Sequence, residues 1–432
     1  MNEAAGALPA HGGYIVRVAD RTLAADLASW PSVMITGPRA VGKTTTALRH
    51  AEAVLRLDRP EDASIVHDDP DAAIKVGPFP LLLDEWQHTP EVLGAVKRAA
   101  DDSRHPGRYI VTGSARNDLI AGAWPGTGRF LDIQMWPLTG RELFGDASGP
   151  SLFDRWDSPT RFEAPDDPPD VLGYLRLALS GGFPGALAAT EDRQRDRWMR
   201  SFLNVTATRD LEEFAVGRGR PRSPSRFRRY LQAYALHTAG VVPDSALIEA
   251  ADLDRKTASG YHDILDAQRL IVDTPAWRSN RLRRLTSTPK RYLCDSGLAA
   301  WLAQVDFDSA RRDPDARGRL LDTYVAAQLR VEAESADVPV HLHHLRSQRG
   351  EHEIDLIAEF GFRVAAFEIK STSAPSAKDA RHLIWLRDSL LPDQFAGGVI
   401  LHTGRHRRRI DRDIEAVPIA ALWGRRQAPA PV

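Results

Sequence analysis

Residues 33–48, VMITGPRAVGKTTTAL, constrain this chain more than any other stretch. Val33, Met34 and Ile35 run into Gly37-Pro38-Arg39-Ala40-Val41-Gly42-Lys43-Thr44-Thr45, and a helix-forming run follows. The spacing G-x-x-x-x-G-K-[ST], set between a strand and a helix, is that of a loop that cradles phosphates. Glycines at 37 and 42 let successive N–H groups turn inward as an anion nest. Lys43 then reaches the β- and γ-phosphates, and the Thr44 hydroxyl ligates Mg²⁺. Residues 37–45 are therefore expected to bind ATP together with Mg²⁺.

Turnover needs more than binding: an acid on the metal and a group that activates water. Leu81-Leu82-Leu83-Asp84-Glu85 supplies both, an apolar buried strand ending in two carboxylates. Asp84 is read as the metal's support and Glu85 as the base that polarises the attacking water. A third apolar strand, Tyr109-Ile110-Val111-Thr112, ends in Gly113-Ser114. In a doubly wound sheet that end faces the same crevice, so Ser114 or Thr112 would touch the γ-phosphate or the lytic water. Arg116 and Arg129 follow as candidate γ-phosphate sensors.

The alternation of apolar strands (33–36, 54–58, 81–84, 109–112, 130–135) with helices (44–53, 91–101, 117–121) predicts an α/β, parallel-sheet N-terminal region. Hydrophobic residues make up 43% and charged residues 27%, which places the chain among folded globular proteins, and 432 residues allow roughly two to four domains. The net charge of −1 gives no global field for a polyanion, so basic segments have to be sought locally. A single cysteine, Cys294, precludes an internal disulfide framework and suits a reducing compartment. Its thiol has no acid–base partner in sequence and reads as a small buried group. The start MNEAAGALPAHGG lacks a basic segment before an apolar core, and no apolar run nears the roughly 18–20 residues that span a bilayer. A cytoplasmic protein with no membrane partner is expected.

Residues 145–170, rich in Gly, Pro, Ser and Asp, read as a linker or long loop. A helical stretch at 171–214 is broken at Gly181-Gly182-Phe183-Pro184-Gly185, and 215–225 is a basic joint. Helices at 226–239, 244–251 (with Asp244 as N-cap) and 255–269, then a strand at 270–272, follow the order of a winged helix-turn-helix. Residues 277–294 hold six Lys or Arg and no acid, where a wing would lie. Arg255 and Lys256 open the third helix, so phosphate contact with DNA is expected. Beyond it come a helix at 320–334 and strands at 340–344, 353–358, 364–369 and 398–401. His341, His343 and His344 lie in the first of these strands with no cysteine near, and read as surface and core residues.

Gly37-Pro38-Arg39-x-x-Gly42-Lys43-Thr44, Leu82-Leu83-Asp84-Glu85-x-Gln87, Thr112-Gly113-Ser114, Gly128-Arg129 before Pro137-Leu138, Gly181-Gly182-Phe183-Pro184 and Tyr292-x-x-Asp295-x-Gly297-Leu298 occur in this order. The chain thereby resembles the prokaryotic ATP-binding proteins that join an AAA+-type domain to a C-terminal domain of unknown function. The resemblance implies an AAA+-like P-loop ATPase domain over 1–145, a linker and helical segment over 146–225 and a winged helix over 226–300. It further implies a nuclease-like (restriction-endonuclease-like) α/β domain over 301–424, with a disordered tail at 425–432. Many AAA+-type ATPases take an arginine from a neighbouring subunit; Arg129 and Arg209 are the candidates here, in a homo-oligomer.

Asp355, and Glu368 with Lys370, fall on successive strands where alternation puts Glu368 and Lys370 on one face. Two carboxylates there suit a hard divalent cation, and a lysine can orient water. This looks like the D…(D/E)-x-K arrangement of a large metal-dependent nuclease superfamily. Asp322 on the preceding helix stands where related chains usually carry Glu. The expected function is an Mg²⁺-dependent ATPase that couples nucleotide state to a nucleic-acid-binding module. An ATP-gated DNA nuclease using Asp322, Asp355, Glu368 and Lys370, and a non-enzymatic nucleotide-dependent switch or scaffold, are the alternatives.

Overall fold

The computed structural model describes residues 13–75, 77–113, 128–211, 223–278, 284, 287–347 and 350–424. Ser114, Arg116, the helix expected at 117–121, most of the basic joint, five consecutive residues of the 277–294 run (279–283) and the tail lie outside the described residues. So does the side chain of Arg209.

Strands β1 (Ser32–Thr36), β2 (Ala53–Arg56), β3 (Leu81–Asp84), β4 (Tyr109–Thr112) and β5 (Leu131–Gln134) form one parallel sheet in the order β2-β3-β4-β1-β5. Every residue of β1, β3 and β4 is buried, whereas the edge strands β2 and β5 are partly exposed. That is why the inner strands read as unbroken apolar runs: both of their faces are covered. Helix Val18–Ser29 packs on β1 and β5, and helix Val92–Asp102 sends Val92, Leu93, Val96 and Ala99 into the core of Leu81, Leu83, Tyr109 and Val111. The register pairs Ile35 with Thr112 and Asp84 with Thr112, so three strand ends meet at one sheet edge.

In the middle region, helices Val171–Ser180, Asp192–Val205, Pro224–Leu236, Asp244–Ala250 and Arg255–Ala267 accompany a small antiparallel sheet. Its strands are β6 (Gly240–Val241), β7 (Ile271–Thr274) and β8 (Lys290–Leu293), in the order β6-β8-β7. Asp244 is the first residue of its helix rather than the N-cap, which is Pro243. Phe183, Phe202, Phe227 and Leu293 share one buried cluster with Val33, Ile35 and Ile110, so this region is packed onto the parallel sheet.

The last region is a six-stranded mixed sheet of β9 (Val340–Arg346), β10 (Glu353–Phe360), β11 (Arg363–Lys370), β12 (Phe395–His402), β13 (Arg408–Asp411) and β14 (Ile414–Pro418). Helix Pro314–Glu334 crosses it. β13 was not anticipated because its residues, Arg408 to Asp411, are charged and sit at an exposed edge. No helix among the described residues is long and apolar enough to cross a membrane.

Residues 145–170 have no helix or strand, as their composition predicts, but they are not a free tether. Leu152, Phe153, Trp156 and Phe162 are buried in the core of the C-terminal sheet. Trp156 meets Phe367 edge-on at 6.0 Å and donates its indole N–H to the Ala396 carbonyl at 3.1 Å. Large aromatics buried this way each contribute about 1.5–3 kcal/mol. Composition misses them because four aromatic and aliphatic anchors suffice to pin an otherwise polar stretch. A buried ion pair closes the same junction: Arg141, just after β5, donates to both Glu332 oxygens at 2.9 and 3.0 Å.

Candidate functional site

At the carboxyl edge of the parallel sheet the phosphate loop turns back under positive φ at Gly37 (145°), Ala40 (65°) and Gly42 (102°). A Cβ on Gly37 would lie 2.1 Å from the Met135 carbonyl oxygen, so the loop fits only without a side chain there. The Lys43 ammonium is buried and donates to the loop carbonyls of Gly37 (3.0 Å) and Pro38 (2.9 Å). Thr44 Oγ1 donates to Asp84 Oδ1 at 2.8 Å, and Thr112 Oγ1 donates to the same oxygen at 2.5 Å. The sequence thus brings Lys43, Thr44, Asp84 and Thr112 together through the ends of three adjacent strands. Hydroxyl and carboxylate oxygens are the hard donors that Mg²⁺ takes.

Glu85 is a non-glycine residue in the left-handed region (φ 59°, ψ 50°). That conformation costs on the order of 1–2 kcal/mol and persists only where surroundings impose it. Its carboxylate accepts from Gln87 Nε2 at 2.5 Å, which fixes its direction. Arg129 is placed differently from its sensor reading. It precedes β5, at the opposite, amino-terminal edge of the sheet, and pairs with Asp101 at 2.8 Å. A parallel strand carries its first and last residues to opposite edges, so Arg129 does not reach Asp84 within the chain.

Arg17, which no motif singles out, holds the loop from behind. Its guanidinium donates to the Val41 carbonyl (2.7 Å), the Trp136 carbonyl (2.7 Å) and Glu142 Oε1 (2.8 Å). A lone basic residue ahead of helix Val18–Ser29 is too common a pattern to be a signal.

From the same edge a backbone route leads onward. Met135 donates to the Thr36 carbonyl at 2.8 Å, and Leu138 donates to the Gly182 carbonyl at 2.8 Å. Gly182 N–H in turn donates to Asp295 Oδ2 at 2.6 Å, and Leu298 N–H to Asp295 Oδ1 at 2.7 Å. Gly181 has φ 67°, and a Cβ there would meet Asp295 Oδ1 at 2.3 Å. The Gly-Gly-Phe-Pro and Tyr-x-x-Asp-x-Gly-Leu motifs are two halves of this one joint. Burial pushes the Asp295 carboxyl up to about 6, against the three backbone N–H groups of Leu298, Gly182 and Gly297. Cys294 beside it is buried, and burial raises its thiol well above the ordinary range, so it is held as an inert thiol.

The C-terminal candidates also converge. Asp322 comes from helix Pro314–Glu334, Asp355 from β10, and Glu368 and Lys370 from β11. Asp355 Oδ2 accepts from the Ile369 N–H at 2.9 Å, and Lys370 donates to Glu368 Oε2 at 2.7 Å. Among them stands a residue that the nuclease reading did not include. Lys290 of β8 places its ammonium 2.6 Å from Asp322 Oδ2 and 3.1 Å from Asp355 Oδ1. Among the described residues, no group of three His, Cys, Asp or Glu is disposed to hold a metal ion.

Three cations of the basic run at 277–294 are likewise turned inward. Arg284 pairs with Glu359, Arg291 with Asp273 and Asp244, and Lys290 with Asp322 and Asp355. Three of its six cations are thus spent on internal carboxylates rather than offered to phosphates. His343 lies 3.2 Å from Glu359, buried His344 contacts the Thr288 carbonyl at 3.1 Å, and His341 is exposed. Burial depresses the His344 imidazole from 6.5 to about 4. Between those values the unfolded chain binds a proton that the folded one refuses, so this contribution is full above about pH 6.5 and is lost as pH falls toward 4. His344→Gln should therefore flatten the acid limb of a denaturation-versus-pH series, by up to about 3 kcal/mol. Parallel wild-type and variant curves would refute it.

Residues 29–144 match a family model described as an AAA domain. Residues 172–309 and 317–422 match two models described as domains of unknown function, DUF8612 and DUF4143. The chain is 27% identical over 394 residues to the uncharacterized protein Rv2008c of Mycobacterium tuberculosis and, equally, to Mb2031c of Mycobacterium bovis, covering 90% of this chain and 80% of each relative. Among solved structures, the Walker-type ATPase PABY2304 of Pyrococcus abyssi is loosely similar, with a TM-score of 0.37 and 15% identity over 66% of this chain and 94% of that one. The parallel sheet, the loop at 37–45 on its carboxyl edge and the match over 29–144 make the N-terminal region an AAA-like P-loop domain.

Proposed function

We propose that the chain is an Mg²⁺-dependent ATPase whose nucleotide state is passed to its C-terminal half. The observation that carries this reading is the convergence of the Thr44 and Thr112 hydroxyls on one oxygen of Asp84, beside the buried Lys43 ammonium. Bound Mg²⁺ supplies charge neutralisation of the β- and γ-phosphates. Lys43 would exchange its two loop carbonyls for phosphate oxygens, and Thr44 and Asp84 would hold the metal. Glu85, aimed by Gln87, takes up the proton of the attacking water. Loop residues Pro38, Arg39, Ala40, Val41 and Thr45 complete the cradle.

The route from Leu138 through the Gly182 backbone (2.8 Å) to the Asp295 carboxylate (2.6 Å), two residues past β8, supports transmission. The element order of 224–293 favours a winged-helix reading of the middle region. Arg284, Lys290 and Arg291 of the wing segment are paired with acids, which directs these three into the chain, whereas Arg255 and Lys256 at the start of the third helix stay exposed. The test is ATP binding and phosphate release by the full chain and by Lys43→Ala. Removal of a charge-assisted hydrogen-bond donor should weaken ATP binding about 10- to 100-fold. Equal affinity in both proteins would sink the assignment of the loop.

A further inference from the structure

Helix Asp192–Val205 turns an apolar face inward and a basic one outward. Met199 and Phe202 are buried, with the Phe202 ring 5.0 Å from Phe183 and stacked on Trp198 at 5.3 Å. On the other side Arg193, Arg197, Arg200 and Asn204 are all exposed. Steps of four, three and four residues bring these side chains within about 60° of one another around the helix axis, in a row roughly 16 Å long. Arg228 of helix Pro224–Leu236 extends the row by donating to Asn204 Oδ1 at 3.1 Å, a neutral partner that leaves its charge uncancelled. Both aspartates of the helix are engaged by its arginines, Asp192 by Arg195 and Asp196 by Arg200, each at 2.7 Å. Arg193 and Arg197 have no ion pair among the described residues. Uncompensated guanidinium groups are thus lined up in a chain whose net charge is −1.

A row of cations fits a row of anions, and the chemistry of this row narrows the choice. Arginine offers a planar fork of N–H donors that matches phosphate oxygens. A lipid surface is disfavoured, because an interfacial helix inserts its apolar face, and here that face is buried against Phe183. The row has no aromatic ring on which an unpaired base could stack, which favours a duplex over a single strand. We propose that Arg193, Arg197 and Arg200, continued by Arg228, form a docking surface for the phosphate backbone of duplex nucleic acid, contacted without regard to sequence. At about 3.4 Å per nucleotide, roughly five phosphates of one strand pass along the row. Helix Asp192–Val205 lies outside the segment 226–300 in which the order of elements placed DNA contact. No atom of the phosphate loop takes part, so duplex binding stands or falls apart from the ATPase reading.

The experiment is binding of fluorescein-labelled DNA and RNA duplexes of about 20 base pairs to the full-length chain, read by anisotropy between about 50 and 200 mM KCl. Neutralising Z phosphates gives log K a slope near −0.9Z against log salt, so four arginines predict about −3.6 on the duplex that binds more tightly. Arg193→Gln combined with Arg197→Gln should make that slope shallower by about 1.8 and weaken binding about 100-fold at the lowest salt. Arg193→Lys combined with Arg197→Lys keeps both charges and should keep the slope. Both positions are exposed, so circular dichroism should show every variant folded. Absence of binding to either duplex overturns the proposal, as does an unchanged slope in the glutamine pair or a slope lost in the lysine pair. So does a glutamine pair that loses binding to phosphatidylserine vesicles while duplex binding stays at the parent's level.

Discussion

Glu85→Gln is expected to lower ATP turnover about 10²- to 10⁴-fold, the range removed with a general base, while nucleotide affinity stays near that of the wild type. The separation follows from geometry. Glu85 follows Asp84 in a left-handed turn and is held by Gln87, whereas the phosphate contacts are made by the loop and Lys43. The amide keeps the size and the hydrogen bond but cannot accept a proton. Phosphate release under saturating ATP, beside a titration with a fluorescent ATP analogue, reads the two quantities apart. Unchanged turnover would remove Glu85 from the chemistry, and lost binding would make it a structural residue of the turn. Gln87→Ala should then give a smaller loss of turnover, because the carboxylate remains but is no longer aimed.

Arg141→Met should destabilise the chain by about 3–5 kcal/mol, the usual cost of leaving one member of a buried ion pair alone. The pair is 4% and 3% exposed at its side chains, so water cannot take over for the lost guanidinium. Arg141 also donates to the carbonyls of Asp146, Gly149 and Pro150, and Glu332 accepts from the Leu152 N–H. Four points of the 145–170 segment therefore hang on one pair. Denaturant unfolding of Arg141→Met, Glu332→Met and the double variant gives the test. A double variant that recovers only part of the loss is expected, because it removes the unpaired charge but still strips the partners from the Asp146, Gly149, Pro150 and Leu152 backbone groups. A loss below about 1 kcal/mol for Arg141→Met would mean the junction is carried by Phe153 and Trp156 alone.

Motif spacing made the nucleotide site legible because its geometry is local. Strand, loop and helix are consecutive, and the Asp84 and Thr112 strand ends meet them through a sheet whose inner strands announce themselves by unbroken apolar runs. Within the chain, Arg129 misses the sensor position for a reason of the same kind. Sequence proximity to β5 does not tell which edge of the sheet a residue occupies, and Arg129 sits at the start of its strand. The segment 145–170 was legible as irregular and illegible as packed, since four buried side chains do not alter a Gly/Pro/Ser/Asp composition. The motifs Gly181-Gly182 and Asp295 were visible as separate signals, but nothing in either indicates that one caps the other across 113 residues.

The greatest distance between pattern and fold lies in the basic run. An acid-free stretch with six cations predicts a phosphate-facing surface, and Arg284, Lys290 and Arg291 instead neutralise carboxylates supplied by remote strands and helices. Sequence by itself settled what depends on neighbours along the chain: the phosphate loop, the buried strands and the acidic pair at the end of β3. Which charges face one another was decided only by tertiary packing. A side chain's partner is chosen by whichever element folds against it, and burial makes that partner obligatory.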